Sequence, residues 1–478
     1  MKKLFSIVTL LVLLTSCNNN TEDFNNNEDA SYNVPAETLF TNSQLELVNQ
    51  MTTPSVNLNP FRFFSQYWAQ TTYNDESRYR LTTRKVSDNH WDALYRNVLG
   101  NLESAKDVIT TESASVEQQN KLAIIEILQV YTFQILVDTY GDIPYTDALT
   151  LPAIKLPRYD DDATIYPKLI TRLDAAIANL DDTEGSFITG DVLFNGDVQK
   201  WKLFANTLKL KLGINLSDFD PALAQSTVEA AYAAGVILTN TQNATFNYPA
   251  AAPNYNPIYG DLEASNRNDF VAANTLVNVM NTLDDPRRAV YFNDVDDSGI
   301  YIGGIYGAAN NDFTAFSQIG DKFRAADLPA ELFEATEVNF YLAEAAARGF
   351  NVGNTAEYYY NNAIRSSFEY WGVAGVDAYL LKPEVAYTTA TGTWQQKIGT
   401  QAWIALFNRG FESWNFYRRL DFPTLVAPAN AVAAANGQVP TRLTYPSTER
   451  TVNGENYQAA VTAMGEDRLR GNVFWDVN

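Results

Sequence analysis

Residues 335–370 read ATEVNFYLAEAAARGFNVGNTAEYYYNNAIRSSFEY: a helix, a break and a second helix. Val338, Leu342 and Ala345 are spaced four and three apart, which sets them on one stripe of an α-helix. Gly349 and Gly353 break that helix. Tyr360, Ile364 and Phe368, each four apart, stripe the second.

The 36-residue span, with small residues at Ala343, Ala345, Ala346 and Ala363, resembles one tetratricopeptide unit, whose period is about 34. Working outward, Ile124, Leu128, Tyr131 and Ile135 place a helix over 121–140, stopped by Gly141 and Pro144. Trp201, Phe204, Leu208 and Leu212 repeat the pattern. Helices are also expected over 164–180, 227–234, 90–102 and, as the last amphipathic one, 394–409. These pairs are less regular than 335–370, so no repeat shows as self-similarity. Long stretches rich in Asn, Pro, Gly and Tyr separate them at 240–268, 284–330 and after Pro423. Loops of that length in a compact domain are usually functional. The expectation is a mainly α protein with long loops and few short strands, Tyr301-Ile302 being one strand candidate.

Composition narrows the function. The 478 residues carry a formal charge of −22, with one His and one Cys. One Cys forms no internal disulfide or CxxC pair, and one His supplies no multi-His zinc site. The acidic balance argues against nucleic acid, where a basic footprint supplies most of the affinity. No GxSxG, GxxxxGK[ST] or HExxH motif is present.

The N-terminus reads as an address. Lys2 and Lys3 precede an apolar run from Leu4 to Leu14, short of the ~20 residues that span a bilayer. Leu14-Thr15-Ser16-Cys17 resembles a bacterial lipobox, which makes 1–16 a lipoprotein signal peptide and Cys17 the lipidated residue. Residues 17–35 then form a polar, acidic tether, and 36–478 a single domain.

Several strings, taken in order, are similar to the SusD/RagB family of outer-membrane lipoproteins, and most to its SusD-like second subgroup. They are SQYWAQTTYNDESRY (65–79), LVDTYGDIPYTDAL (136–149), WKLFANTLKLKLGINLSD (201–218), VNFYLAEAAARG (338–349), IALFNRGFESWNFYRRLDFP (404–423), RLTYPSTE (442–449) and the closing GNVFWDVN. The resemblance runs from about residue 40 to the end. It implies about four tetratricopeptide-like helix pairs as scaffold, with loops on one face that bind nutrient. It also implies a lipid-anchored cell-surface protein that passes oligosaccharide, or peptide in some members, to a TonB-dependent SusC-like transporter, without catalysis or cofactor.

Individual residues can then be weighed. Trp68, Tyr73 and Tyr79 share a polar segment with Asn74 and Arg78. Aromatic faces flanked by amide and guanidinium groups suit a sugar ring, with its apolar face and hydroxyl edge; the alternative is that Trp68 anchors the loop in the interior. Asn254, Tyr255 and Tyr259 make a second such mixture, where Asn and Pro also favour turns. Asn266 to Asp269 supply either hydrogen bonds to hydroxyls or a cap for a helix near Phe270. Asp294 to Gly299 resembles half a calcium loop, but Ile305 stands where the bidentate Glu belongs, so a solvated acidic turn is the reading. His90 reads as structural. Phe411, Trp414, Phe416 and Tyr417 read as core, with Arg418 and Arg419 as ion-pair partners. A surface glycoside hydrolase and a purely structural lid are the competing functions.

Overall fold

Past its polar first turn, the helix from Val116 to Tyr140 is apolar on nearly every face and needs burial on every side, and the structure builds the molecule around it. The computed structural model describes residues 34–150 and 153–477; Cys17 and most of the expected tether lie outside the described residues. From Ala36 on, the chain forms one compact unit.

The helices of eleven residues or more are α1 (Ala36–Thr52), α2 (Gly100–Thr110), α3 (Val116–Tyr140), α4 (Asp162–Asn179), α5 (Val198–Asn215), α6 (Pro221–Ala234), α7 (Ala335–Ala347), α8 (Ala356–Trp371), α9 (Trp394–Ala405), α10 (Gly410–Leu420) and α11 (Gly454–Met464). They pack as α1 with α2, α3 with α4, α5 with α6 and α7 with α8, four tetratricopeptide-like pairs, and α9 with α10 forms a further hairpin on α7. Caps explain the starts. Ser115, Asp161, Asp197, Asp220, Thr355 and Thr393 each accept a hydrogen bond from a backbone N–H of the first turn. Gly141 at φ +77° and Gly372 at φ +68° end α3 and α8.

Three two-stranded antiparallel ribbons tie loops to this scaffold: β1 (Trp68–Gln70) with β5 (Phe270–Ala272), β2 (Ile143–Pro144) with β3 (Tyr159–Asp160), and β4 (Ala244–Phe246) with β6 (Ala330–Phe333). Tyr301-Ile302 is not a strand. Its backbone is met by Asn281 and Ser317 instead of a ladder. The expected helix over 394–409 is cut at Ala405, and α10 and α11 follow it. No helix starts at Phe270, which opens β5; the helix begins at Asn274.

The C-terminal aromatic motif is core. Phe411, Trp414 and Phe416 are buried, and Tyr417 is half-buried. Arg419 pairs with Glu344 at 3.0 Å. Arg418 lies 3.5 Å over the Trp414 ring and donates to the carbonyls of Asp138 and Thr441. His90 is buried against Phe61, its Nδ1 2.7 Å from the Gln50 amide. Burial pulls its pKa down to about 3, so the ring is neutral.

Candidate functional site

Strand pairing decides which part of the 65–79 segment faces out. Trp68, Ala69 and Gln70 pair with Ala272, Val271 and Phe270, and all three are buried. Trp68 packs 5.3 Å from Phe270, with the Arg62 guanidinium 5.4 Å over its ring. At 1 % exposure it is the interior anchor, not a stacking platform. Tyr79 has the same fate. It is 1 % exposed, packs on Phe64 and receives a hydrogen bond from Gln66 Nε2, and burial pushes its phenol up to about 12. Both placements correct the expectation that these rings meet a ligand.

Tyr73 is different. The chain turns at φ +49° there and presents the ring to solvent, 67 % exposed. The turn is clamped from beneath. Gln70 Nε2 donates to the Tyr73 carbonyl at 2.8 Å and to Glu76 at 2.9 Å, and its Oε1 accepts from the Ser77 N–H. Glu76 is wholly buried and ion-paired to Arg84 at 2.7 Å. Burial nevertheless raises its carboxyl, against the Gln70 and Arg84 bonds. The Arg84 guanidinium lies 5.7 Å from the Tyr73 ring centroid.

Asn74 and Arg78 hold loops together. Asn74 Nδ2 donates to the Ala308 carbonyl at 2.7 Å and Arg78 Nε to that of Gly307 at 2.9 Å. Both side chains are half-buried and committed to that neighbouring loop. Asn254 is exposed, while Tyr255 and Tyr259 are half-exposed and meet edge to face at 5.0 Å.

Of the expected ligand residues Tyr73 lines a cleft here, whereas Trp68, Asn74, Arg78, Tyr79, Asn254, Tyr255 and Tyr259 do not. Tyr73, Gln70 and Arg84 line one side of a cleft of about 130 Å³, and Asp261, Arg267 and Asp269 the other. Thr71 joins the sides by donating to the carbonyls of Asp269 and Asn268. Asp261 lies two residues after Tyr259 in the chain. Arg267 pairs with Asp269 at 2.6 Å. Burial raises the Asp261 carboxyl, opposed by Arg267. Arg84 and Asp261 carried no sequence signal, because what brings them to the cleft is the β1–β5 register.

At Asp294 to Gly299 the chain makes an exposed turn, closed by a bond from the Gly299 N–H to Asp294. Among the described residues, no group of three or more His, Cys, Asp or Glu is placed to hold a metal ion.

A stack of helix pairs carrying a loop face with a polar and aromatic cleft defines a ligand-capture protein. The chain belongs to the SusD-like_2 family, described as starch-binding and associating with the outer membrane, whose model matches residues 26–446. Members of that family bind and do not catalyse, and this chain is a binding protein of that kind. Among solved structures it is similar to a chitin-binding SusD homolog from Flavobacterium johnsoniae, with 27 % identity, TM-score 0.77, and 92 % of this chain and 98 % of that one covered. A SusD homolog from Bacteroides uniformis shows 27 % identity and TM-score 0.76 over 92 % and 99 %. One from Bacteroides thetaiotaomicron shows 25 % and 0.78 over 93 % and 100 %. No curated protein matches the chain.

Proposed function

We propose that the chain is a cell-surface lipoprotein, anchored through Cys17, that captures oligosaccharide and delivers it to a TonB-dependent SusC-like transporter in the outer membrane. The observation that carries this is Tyr73, a large aromatic ring held out over a polar cleft by a buried clamp of Gln70 and Glu76. A ring fixed in place costs little entropy when a sugar stacks on it. Arg267 and the carboxylates of Asp261 and Asp269 supply donors and acceptors for the hydroxyl edge. The chitin-binding relative supports a glycan as ligand.

The test is calorimetric titration with soluble oligosaccharides, chitohexaose among them. Tyr73→Ala is expected to weaken the best ligand by about tenfold to a hundredfold, on the order of 1–3 kcal/mol, with thermal stability unchanged. Unaltered affinity in a folded Tyr73→Ala protein would remove this cleft as the capture site. Failure of a tagged chain to co-purify a TonB-dependent barrel from detergent-solubilised membranes would remove the delivery role.

A further inference from the structure

When the charges that line the Tyr73 cleft are paired off, one carboxylate is left over. Arg84 is held by the buried Glu76 at 2.7 Å, and Arg267 by Asp269 at 2.6 Å. Asp261 stands apart. Among the described residues its carboxylate forms no ion pair and accepts no hydrogen bond; the Ser265 hydroxyl bonds its backbone carbonyl instead, at 2.7 Å. Arg62, buried against Trp68, has its guanidinium committed to the carbonyls of Thr53 and Asn408. It acts on Asp261 only through its field. Burial and Asp269 work against the ionised carboxylate, and the fields of Arg267 and Arg62 favour it.

Backbone, not a side-chain partner, sets Asp261 in the cleft. It lies in a π-helical segment, Gly260–Ala264, directly after the helical turn Pro257–Tyr259. Insertions of this kind recur at functional sites. The wholly buried Asn256 caps that turn and ties it to the Leu328 carbonyl at 2.7 Å. A half-buried carboxylate without donors weakens the fold, and it stands ready to accept them from a ligand.

We propose that the cleft selects an oligosaccharide bearing a free amine, with the ammonium of a 2-amino sugar on Asp261 and a face of its ring on Tyr73. This selectivity presupposes the capture role proposed above. At about 130 Å³ the cleft is filled by one sugar unit, so a single substituent decides the fit. A hydroxyl or an acetamide would donate a hydrogen bond to Asp261 and leave its charge unmatched. An ammonium supplies the charge and up to three donors, and such charge-assisted bonds are about twice as strong as neutral ones. Arg84 covers one face of Tyr73, and the ring, 67 % exposed, keeps the other for the sugar. The net charge of −22 steers a cationic glycan toward the protein and a uronate or sulfated one away from it.

Calorimetric titration compares the trimers of glucosamine and of N-acetylglucosamine near pH 6, where a sugar amine is protonated. The amine trimer is expected to bind about tenfold tighter or more. Asp261→Asn keeps the shape and removes the charge, and should collapse that preference to about threefold or less, with its thermal midpoint confirming the fold. Asp377→Asn, at an exposed carboxylate outside the cleft, should keep the parental preference, which separates Asp261 from the general field of an acidic protein. Equal or tighter binding of the acetylated trimer or of trigalacturonate by the parent would overturn the amine assignment and leave the capture role standing. So would a preference that survives in folded Asp261→Asn. A parent that binds no oligosaccharide would overturn both.

Discussion

Lys211→Met should be among the most damaging single changes in this protein, and the cost can be worked out from its surroundings. Lys211 is wholly buried, with its Nζ 2.6 Å from Glu412 and 3.9 Å from Glu337. The rings of Tyr131, Phe333 and Phe411 complete its cage. Arg409 bonds Glu337 and lies 3.6 Å from Glu412. Two cations thus face two carboxylates, and burial pushes the nearby Glu334 up to about 8, which leaves it largely protonated at neutral pH. Removing Lys211 leaves one buried negative charge. At an effective dielectric of ~20 a pair near 4 Å is worth about 4 kcal/mol, and breaking buried pairs costs about 3–5 kcal/mol. Burial also pushes Glu412 up, but Lys211 and Arg409 outweigh it and hold the carboxyl below its usual range. Its contribution to stability is therefore present above the unfolded carboxylate pKa and lost as pH falls through the lower folded value. In Lys211→Met that depression is gone, so the carboxyl takes up a proton at higher pH. The deficit should accordingly shrink between pH 8 and pH 5. Urea denaturation at both values measures it, and Lys211→Met with Glu412→Gln should recover more than half of the loss. A deficit under about 1 kcal/mol at pH 8, or one that grows on acidification, would refute this reading of the cluster.

Three further outcomes are expected. Trp68→Ala should lose about 3–5 kcal/mol in denaturant unfolding, as buried aromatics do, whereas the exposed Tyr73→Ala should stay within about 0.5 kcal/mol of the parent. Gly320→Ala should destabilise strongly, because a Cβ there would lie 2.1 Å from the Val290 carbonyl oxygen; a soluble variant with parental unfolding midpoint would contradict the packing. Cys17→Ala should abolish fatty-acid labelling and shift the protein out of the membrane fraction, and continued labelling would end the lipobox reading.

Much of the scaffold was legible because helices announce themselves locally. The stripe Val338, Leu342, Ala345 and the breaks at Gly349 and Gly353 place α7 and α8 within a few residues of their ends. The stripe Trp201, Phe204, Leu208 and Leu212 did the same for the body of α5. The stripe read along 121–140 proved only part of the story, since α3 is buried almost all round and its period is masked by apolar residues on every face. The helix of 36–52 escaped notice because half of its buried positions are polar: Ser43, Gln44, Gln50 and Thr52. Ser43, Gln44 and Gln50 donate to backbone carbonyls, and the Gln44 bond to Gly190 at 2.9 Å is a contact no local window contains.

The ligand face divides the same way. The sequence alone established that 65–79 and 254–269 mix aromatic, amide and charged residues, and that one Cys and one His exclude whole classes of chemistry. It did not say which rings would face out. Trp68, Tyr73 and Tyr79 are alike in composition and context, yet two are interior and one is exposed. That outcome was decided by β1 pairing with a strand two hundred residues away, which pulls Trp68 inward, and by the Gln70–Glu76 clamp, which turns Tyr73 out. Periodicity reports the backbone geometry of a few adjacent residues, whereas exposure depends on what the rest of the chain lays over them. Only the folded molecule carries that information.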